Sequence, residues 1–195
     1  MHPVDARVLP HGLGQEIRQE ADEFEASIEE LEWTVNAYTL TFAVLLITGA
    51  ALGDRFGRKR MFVIGLGIFT VASALAALAP TIEALIAARA LQGLGAAIIS
   101  PAALSIVTTT FAEGSERNKA LGIWGAIAGL GGAVGVLMGG MLTEWAGWEW
   151  VLYVNVPIAV VGAMLAPRLL PESRNEGARH FDVAGAVSVT AGLSI

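Results

Sequence analysis

The chain has 195 residues, of which 54% are hydrophobic and only 15% charged, against about 25% charged in an ordinary soluble domain. The net charge of -6 belongs to one end: residues 1–32 hold nine acids and two bases, and the remainder nine acids and ten bases. That balance leaves no basic surface for a nucleic acid, and without cysteine neither a disulfide nor a thiolate metal site can form.

Residues 1–32 read as an acidic extramembrane head. They lack the basic start and apolar middle of a secretory signal. Within them 15–31 is expected to form a short helix on the membrane surface, with Ile17, Phe24, Ile28 and Leu31 as its apolar face.

Long charge-free stretches begin at Trp33. A helix needs roughly 20 apolar residues to cross about 30 Å of hydrocarbon, and a helix satisfies its own backbone there. The pattern predicts spans over 33–52, 61–80, 82–111, 120–143 and 150–170, a five-span bundle covering 33–170. The first span opens on an interfacial aromatic, Trp33. Its outer half carries Thr34, Asn36, Tyr38, Thr39 and Thr41. Polar groups facing lipid are costly, so this face is expected to look at other helices or a cavity.

Residues 54–60 then place four cations and one carboxylate in a tight basic turn, with Gly53 and Gly57 expected to bend the backbone. The second span reads as apolar on all sides. The third is long, about 45 Å at 1.5 Å per residue, and Pro101 inside it is expected to kink it. Arg89 lies about 10 Å into that span by the same rise. A cation costs about 2.5–3.5 kcal/mol at a span centre, less if its head snorkels outward. Gln92 and Gly93 follow, and are expected to give one polar, open face.

The fourth span repeats Gly131, Gly135 and Gly139, with Gly125 and Gly129 before them and Gly140 after. Residues four apart share a helix face, where glycine admits another backbone closely. Residues 144–150 form a turn with Trp145, Trp148 and Trp150 expected at the interface. The fifth span has Asn155 and Pro157 in its outer half. Residues 171–182 read as a polar cytoplasmic linker. Residues 183–195 are apolar but too short to cross, and read as the truncated start of a further span.

Basic residues alternate along the turns. The 54–60 turn holds four, 112–119 two and 168–179 three, while 80–82 and 144–149 hold none. The basic turns are therefore expected in the cytoplasm and the acidic head outside. No enzyme signature occurs. His2, His11 and His180 lie far apart outside the spans, and no catalytic set, phosphate loop or metal spacing is found. No cofactor is expected.

Leu52-Gly53-Asp54-Arg55-Phe56-Gly57-Arg58-Lys59 resembles the signature loop of the major facilitator superfamily, between that family's second and third spans. Arg89-Ala90-Leu91-Gln92-Gly93-Leu94-Gly95-Ala96-Ala97 resembles its fourth-span signature. Residues 131–140 match most of the fifth-span antiporter signature. Residues 148–157, then Phe181-Asp182-Val183-Ala184-Gly185, look like the sixth span and the entry to the seventh. The likeness covers roughly residues 28–192 and is nearest the fourteen-span drug:proton antiporter branch.

The resemblance implies an all-α polytopic transmembrane bundle, an incomplete N-terminal half of the major facilitator fold. Its five spans would correspond to family spans two to six, with no counterpart of the first in residues 1–27. It implies a secondary transporter of the bacterial inner membrane, exchanging small hydrophobic or cationic compounds for protons by alternating access. Asp54, Arg55, Gly57, Arg58 and Lys59 would form a gating loop. Asp54 would meet a helix N-terminus of the other half-bundle, and Arg58 would add charge-assisted bonds.

Arg89, Gln92 and Gly93 would serve proton coupling or the cavity. Gly131, Gly135, Gly139 and Gly140 would lie on a helix that bends and seals. Asn36, Tyr38, Thr39 and Asn155 would line a substrate cavity. The implied partners are a small molecule, protons, the lipid bilayer and a second half-bundle. Three positions depart from the family pattern: Ala50 for a glycine, Val136 for a proline and Glu149 for a base. Two other readings stay open: a truncated fragment or half of a split transporter that moves nothing alone, and a nutrient-type facilitator without proton coupling.

Overall fold

The computed structural model describes Phe24 and residues 26–170. The expectations for residues 1–23, for the linker 171–182 and for 183–195 lie outside the described residues. Six helices occur among those described: α1 Ile28–Phe56, α2 Arg58–Ala77, α3 Ile82–Thr110, α4 Ser115–Ala146, α5 Glu149–Tyr153 and α6 Asn155–Leu169. No strand occurs among them. Helices α1 to α4, and α5 with α6, make five stretches long and apolar enough to cross a membrane. The fold is all-α and polytopic.

Helix α1 starts before Trp33 because its end is capped. The Ser27 hydroxyl accepts the Glu30 N–H at 3.3 Å, and the Glu30 carboxylate accepts the Ser27 N–H at 2.8 Å. This reciprocal pair satisfies backbone donors that a helix start leaves open. Residues 28–31, expected at the end of a surface helix, are instead the first turn of α1. The other end also differs from expectation. Gly53 is helical and bends nothing, and its carbonyl accepts the Gly57 N–H at 3.0 Å. Gly57 alone joins α1 to α2, at φ 102° and ψ 132°, a conformation open essentially to glycine.

Helix α3 is capped by Thr81, whose hydroxyl accepts the Ala84 N–H at 3.3 Å. It continues through Pro101 to Thr110. It lies between α1 and α2, and its glycines show why. A Cβ on Gly93 would come within 2.5 Å of the Tyr38 carbonyl oxygen of α1. A Cβ on Gly95 would come within 2.8 Å of the Phe69 nitrogen of α2. Two residues apart is about 200° around a helix axis, so the two glycines admit neighbours on opposite sides. Beyond α2 lies α6, where Gly162 approaches Leu66. Helix α4 stands at the rim, buried only at Gly139 and Thr143.

The tryptophan turn is not what its composition suggests. Trp148 is 3% exposed and belongs to the core. Its ring lies 5.6 Å from that of Phe24. It packs in a cluster with Leu31, Ala76, Ile82, Leu85 and Leu152, which ties α1, α2, α3 and α5 at one end of the bundle. Trp145 and Trp150 stay exposed, as an interfacial belt requires. Trp148→Ala is expected to cost about 3–5 kcal/mol, read as a lower melting temperature in detergent. Trp145→Ala should leave that temperature nearly unchanged.

The fifth span is broken at Val154 into α5 and α6. Pro157 has no N–H for the Tyr153 carbonyl, so the ladder lapses one turn before it. The Asn155 side-chain amide donates to the Val151 carbonyl at 3.2 Å across that gap.

Candidate functional site

A polar seam runs through the three-helix core. The Arg89 Nε donates to the Thr34 carbonyl of α1 at 3.1 Å. Its Nη1 donates to Gln92 Oε1. Gln92 Nε2 donates to the Ser73 hydroxyl of α2 at 2.7 Å, and that hydroxyl donates to the Phe69 carbonyl at 2.7 Å. The guanidinium carbon also stands 4.7 Å from the centre of the Tyr38 ring, which stacks on Phe42 at 6.3 Å. One cation on α3 is thus bound to α1 directly and to α2 through an amide.

Helical spacing explains the division. Arg89 and Gly93 are four apart and share the face toward α1. Gln92 is about 100° away from Gly93 and shares the other face with Gly95. The expectation of one polar, open face is therefore corrected. Gln92 is 1% exposed, and Gly93 is covered by the α1 backbone. Ser73 is fully buried, so α2 is not apolar on all sides. Thr34 is buried too, its hydroxyl donating to the Leu31 carbonyl at 2.7 Å.

Sequence reasoning passed over Ser73 because a lone serine in an apolar run reads as neutral. The available signal was that a buried hydroxyl needs a partner. In membrane helices such bonds contribute about 0.6 kcal/mol on average and up to about 1.7. The cation–π contact adds about 0.5–2 kcal/mol.

A second charged group lies at the Gly57 end. Arg58 donates through Nη2 at 2.9 Å and Nε at 3.2 Å to one oxygen of Asp54. The Arg58 side chain is 16% exposed and that of Asp54 41%. Arg55 stands over the Phe56 ring at 5.5 Å, and Lys59 is half-buried. Arg58, Lys59 and Arg60 occupy the first turn of α2, where the helix dipole disfavours cations by about 0.3–1 kcal/mol each. Helix stability therefore does not explain them. Asp54, one turn earlier across Gly57, offsets part of that cost.

The remaining candidates are dispersed. A Cβ on Gly131, Gly135 or Gly140 would meet nothing within 4 Å. Gly139 is buried, and its carbonyl accepts the Thr143 hydroxyl at 2.9 Å. Among the described residues no backbone closes on the open glycines of α4. Asn36 and Thr39 are exposed on α1, Thr39 donating to its own helix at Val35. Asn155 is half-buried near the start of α6. The structure brings together Tyr38, Arg89, Gln92 and Gly93, and separately Asp54 with Arg58. It does not bring Asn36, Thr39 or Asn155 to either place.

A profile of the Major Facilitator Superfamily matches residues 15–191. The chain is 47% identical over 163 residues to the puromycin resistance protein pur8 of Streptomyces alboniger, covering 83% of this chain and 32% of that protein. It is 48% identical over 167 residues to the cephamycin export protein CmcT of Amycolatopsis lactamdurans, covering 85% and 34%. It is 41% identical over 162 residues to the multidrug resistance protein Stp of Mycobacterium tuberculosis, covering 83% and 30%. The chain spans about a third of the length of these curated relatives.

Proposed function

The chain belongs to the Major Facilitator Superfamily, a family of transporters and not of enzymes, and from that membership we propose proton-coupled export of small hydrophobic or cationic compounds. The observation that carries the proposal is the Arg89 seam. A guanidinium at membrane depth is costly, and here two neighbouring helices supply its partners. A cation held so firmly serves the helix bundle and not the lipid surface. Arginine keeps its proton at any physiological pH, so Arg89 acts as a fixed positive charge. It favours the ionised form of an acid that approaches it and disfavours a second cation. Relatives named for drug resistance and export support the substrate class.

The Asp54–Arg58 pair joins α1 and α2 across their single linking residue, and would let the two move as one body at a cytoplasmic gate. The alternation of basic and bare turns supports a cytoplasmic position for Gly57 and insertion in a bacterial inner membrane. The uncovered glycine face of α4 is the surface proposed for a second half-bundle.

The test is drug accumulation in cells expressing this protein, with and without an agent that collapses the proton gradient. Export that stops when the gradient is lost is the expected result. Export indifferent to the gradient would leave an uncoupled facilitator. No export from well-inserted protein would leave a membrane fragment needing a partner.

A further inference from the structure

We infer that Ser73 is a positioning residue: it anchors the Gln92 amide with its oxygen toward Arg89, and so holds the guanidinium against Thr34 of α1. The inference follows from counting protons. A serine hydroxyl has one proton to give. That of Ser73 goes to the Phe69 carbonyl at 2.7 Å. Toward any other group, its oxygen can then only accept. Gln92 meets it with Nε2 at 2.7 Å. The reversed amide would set its carbonyl oxygen against a lone pair. It would also set an NH2 against the guanidinium, which has donors and no acceptor.

With Nε2 committed to Ser73, Oε1 is left for Arg89. Amide orientation is otherwise ambiguous between two ends of equal shape. Here the donor-only guanidinium and the back-bonded Ser73 oxygen demand the same orientation, and Ser73 ties the amide to α2 in it.

Burial makes the choice binding. Ser73 is 0% exposed and Gln92 1%. A lost partner at such a site leaves a polar group with no replacement. Ala72 and Ala76 beside Ser73 are also fully buried, and small side chains there bring α2 close to α3. The result is a latch across three helices. Sliding α2 against α3 would break the Ser73 contact, free the amide to turn and loosen Arg89 from α1. In the transport cycle proposed above, Ser73 reports the position of α2 to the cation. That functional consequence rests on the transporter reading, while the anchor itself does not.

Two measurements separate the two claims. The chain has three glutamines, Gln15, Gln19 and Gln92, so side-chain 15N labelling of glutamine in bilayers gives a small set of amide signals. Gln92→Leu identifies the one from Gln92. In Ser73→Ala its amide hydrogens are expected to exchange into D2O about tenfold faster than in the native chain, as for one lost hydrogen bond. Ser73→Thr keeps the hydroxyl and its back-bond to the helix, and should keep exchange slow. Ser73→Gly also lacks the oxygen and repeats the test if the alanine variant inserts poorly. Unchanged exchange in the hydroxyl-free variant overturns the inference.

The second measurement is export as a function of pH. Ser73→Ala should move the profile in the same direction as Gln92→Leu, and the double variant should be no worse than Gln92→Leu alone. Additive losses, or a lower rate at an unmoved profile, would also overturn it. Should the native protein export nothing, the transporter reading falls and the exchange measurement still decides the role of Ser73.

Discussion

Gly49→Ala is expected to separate α1 from α3 and to remove most of the folded protein from the membrane. A Cβ on Gly49 would overlap the Ala97 carbonyl oxygen, and would lie 2.8 Å from its carbon and 3.2 Å from the Ile98 Cα. All three are backbone atoms, so no rotamer change relieves the clash. The contact is close for a reason written in the sequence. Pro101 has no N–H for the Ala97 carbonyl, which its helix therefore leaves open. A glycine Cα–H against such an oxygen contributes about 0.5–1 kcal/mol.

Overpacking a core by a methyl costs about 1–3 kcal/mol when side chains can yield. Here the helices themselves must part, and the Gly93 contact nearby would open with them. Gly67→Ala is the control. It lies in α2 with nothing within 4 Å of its Cβ, and should be neutral or stabilise by up to about 1 kcal/mol. Equal membrane levels and equal melting temperatures for the two variants would contradict the proposed packing.

On the proposed function, Arg89→Ala, made here or at the matching arginine of an intact homologue, is expected to abolish proton-linked export while the protein still inserts. Removing the cation removes an insertion cost of about 2.5–3.5 kcal/mol at most, so the lipid does not oppose the change. The losses fall on the seam. Gln92 Oε1 and the Thr34 carbonyl both lose a charged donor, each worth about 1.5–3 kcal/mol. If those bonds hold one conformation of the cycle, export should fall by about 10- to 100-fold for each bond, at 1.4 kcal/mol per tenfold. Arg89→Lys keeps the charge without the rigid fork that reaches Thr34 and Gln92 together, and should recover little. Undiminished export by Arg89→Ala would remove Arg89 from the mechanism.

Much of the fold was legible because lipid imposes few choices. The third span was expected over 82–111 and is helical over Ile82–Thr110, since charge-free sequence of that length has little alternative at membrane depth. The start of α1 was not legible. Its capping pair, Ser27 with Glu30, is set in an acidic run that reads as surface. Trp148 has the composition of an interfacial residue, and it is the packing of Phe24, Leu31, Ala76, Ile82, Leu85 and Leu152, from four other stretches of chain, that makes it core.

The site divides in the same way. Arg89 was legible as a cation out of place. Gln92, one turn on, was legible beside it; the Thr34 carbonyl carries no sequence label, and Ser73, which holds Gln92, is on another helix. Gln92 and Gly93, adjacent in sequence, face different neighbours, since each residue turns the helix by about 100°.

Helices α2, α3 and α4 are each long and apolar enough to cross the bilayer, and three crossings put Arg60 and Ala146 on opposite sides. The chain has no cysteine, so one introduced thiol is unique. Arg60→Cys and Ala146→Cys, both at exposed positions, should be treated in intact cells with a maleimide that cannot cross membranes. Residue 146 is expected to label at once, and residue 60 only after the membrane is opened. Labelling of both from the same side would contradict the threading on which every assignment above depends.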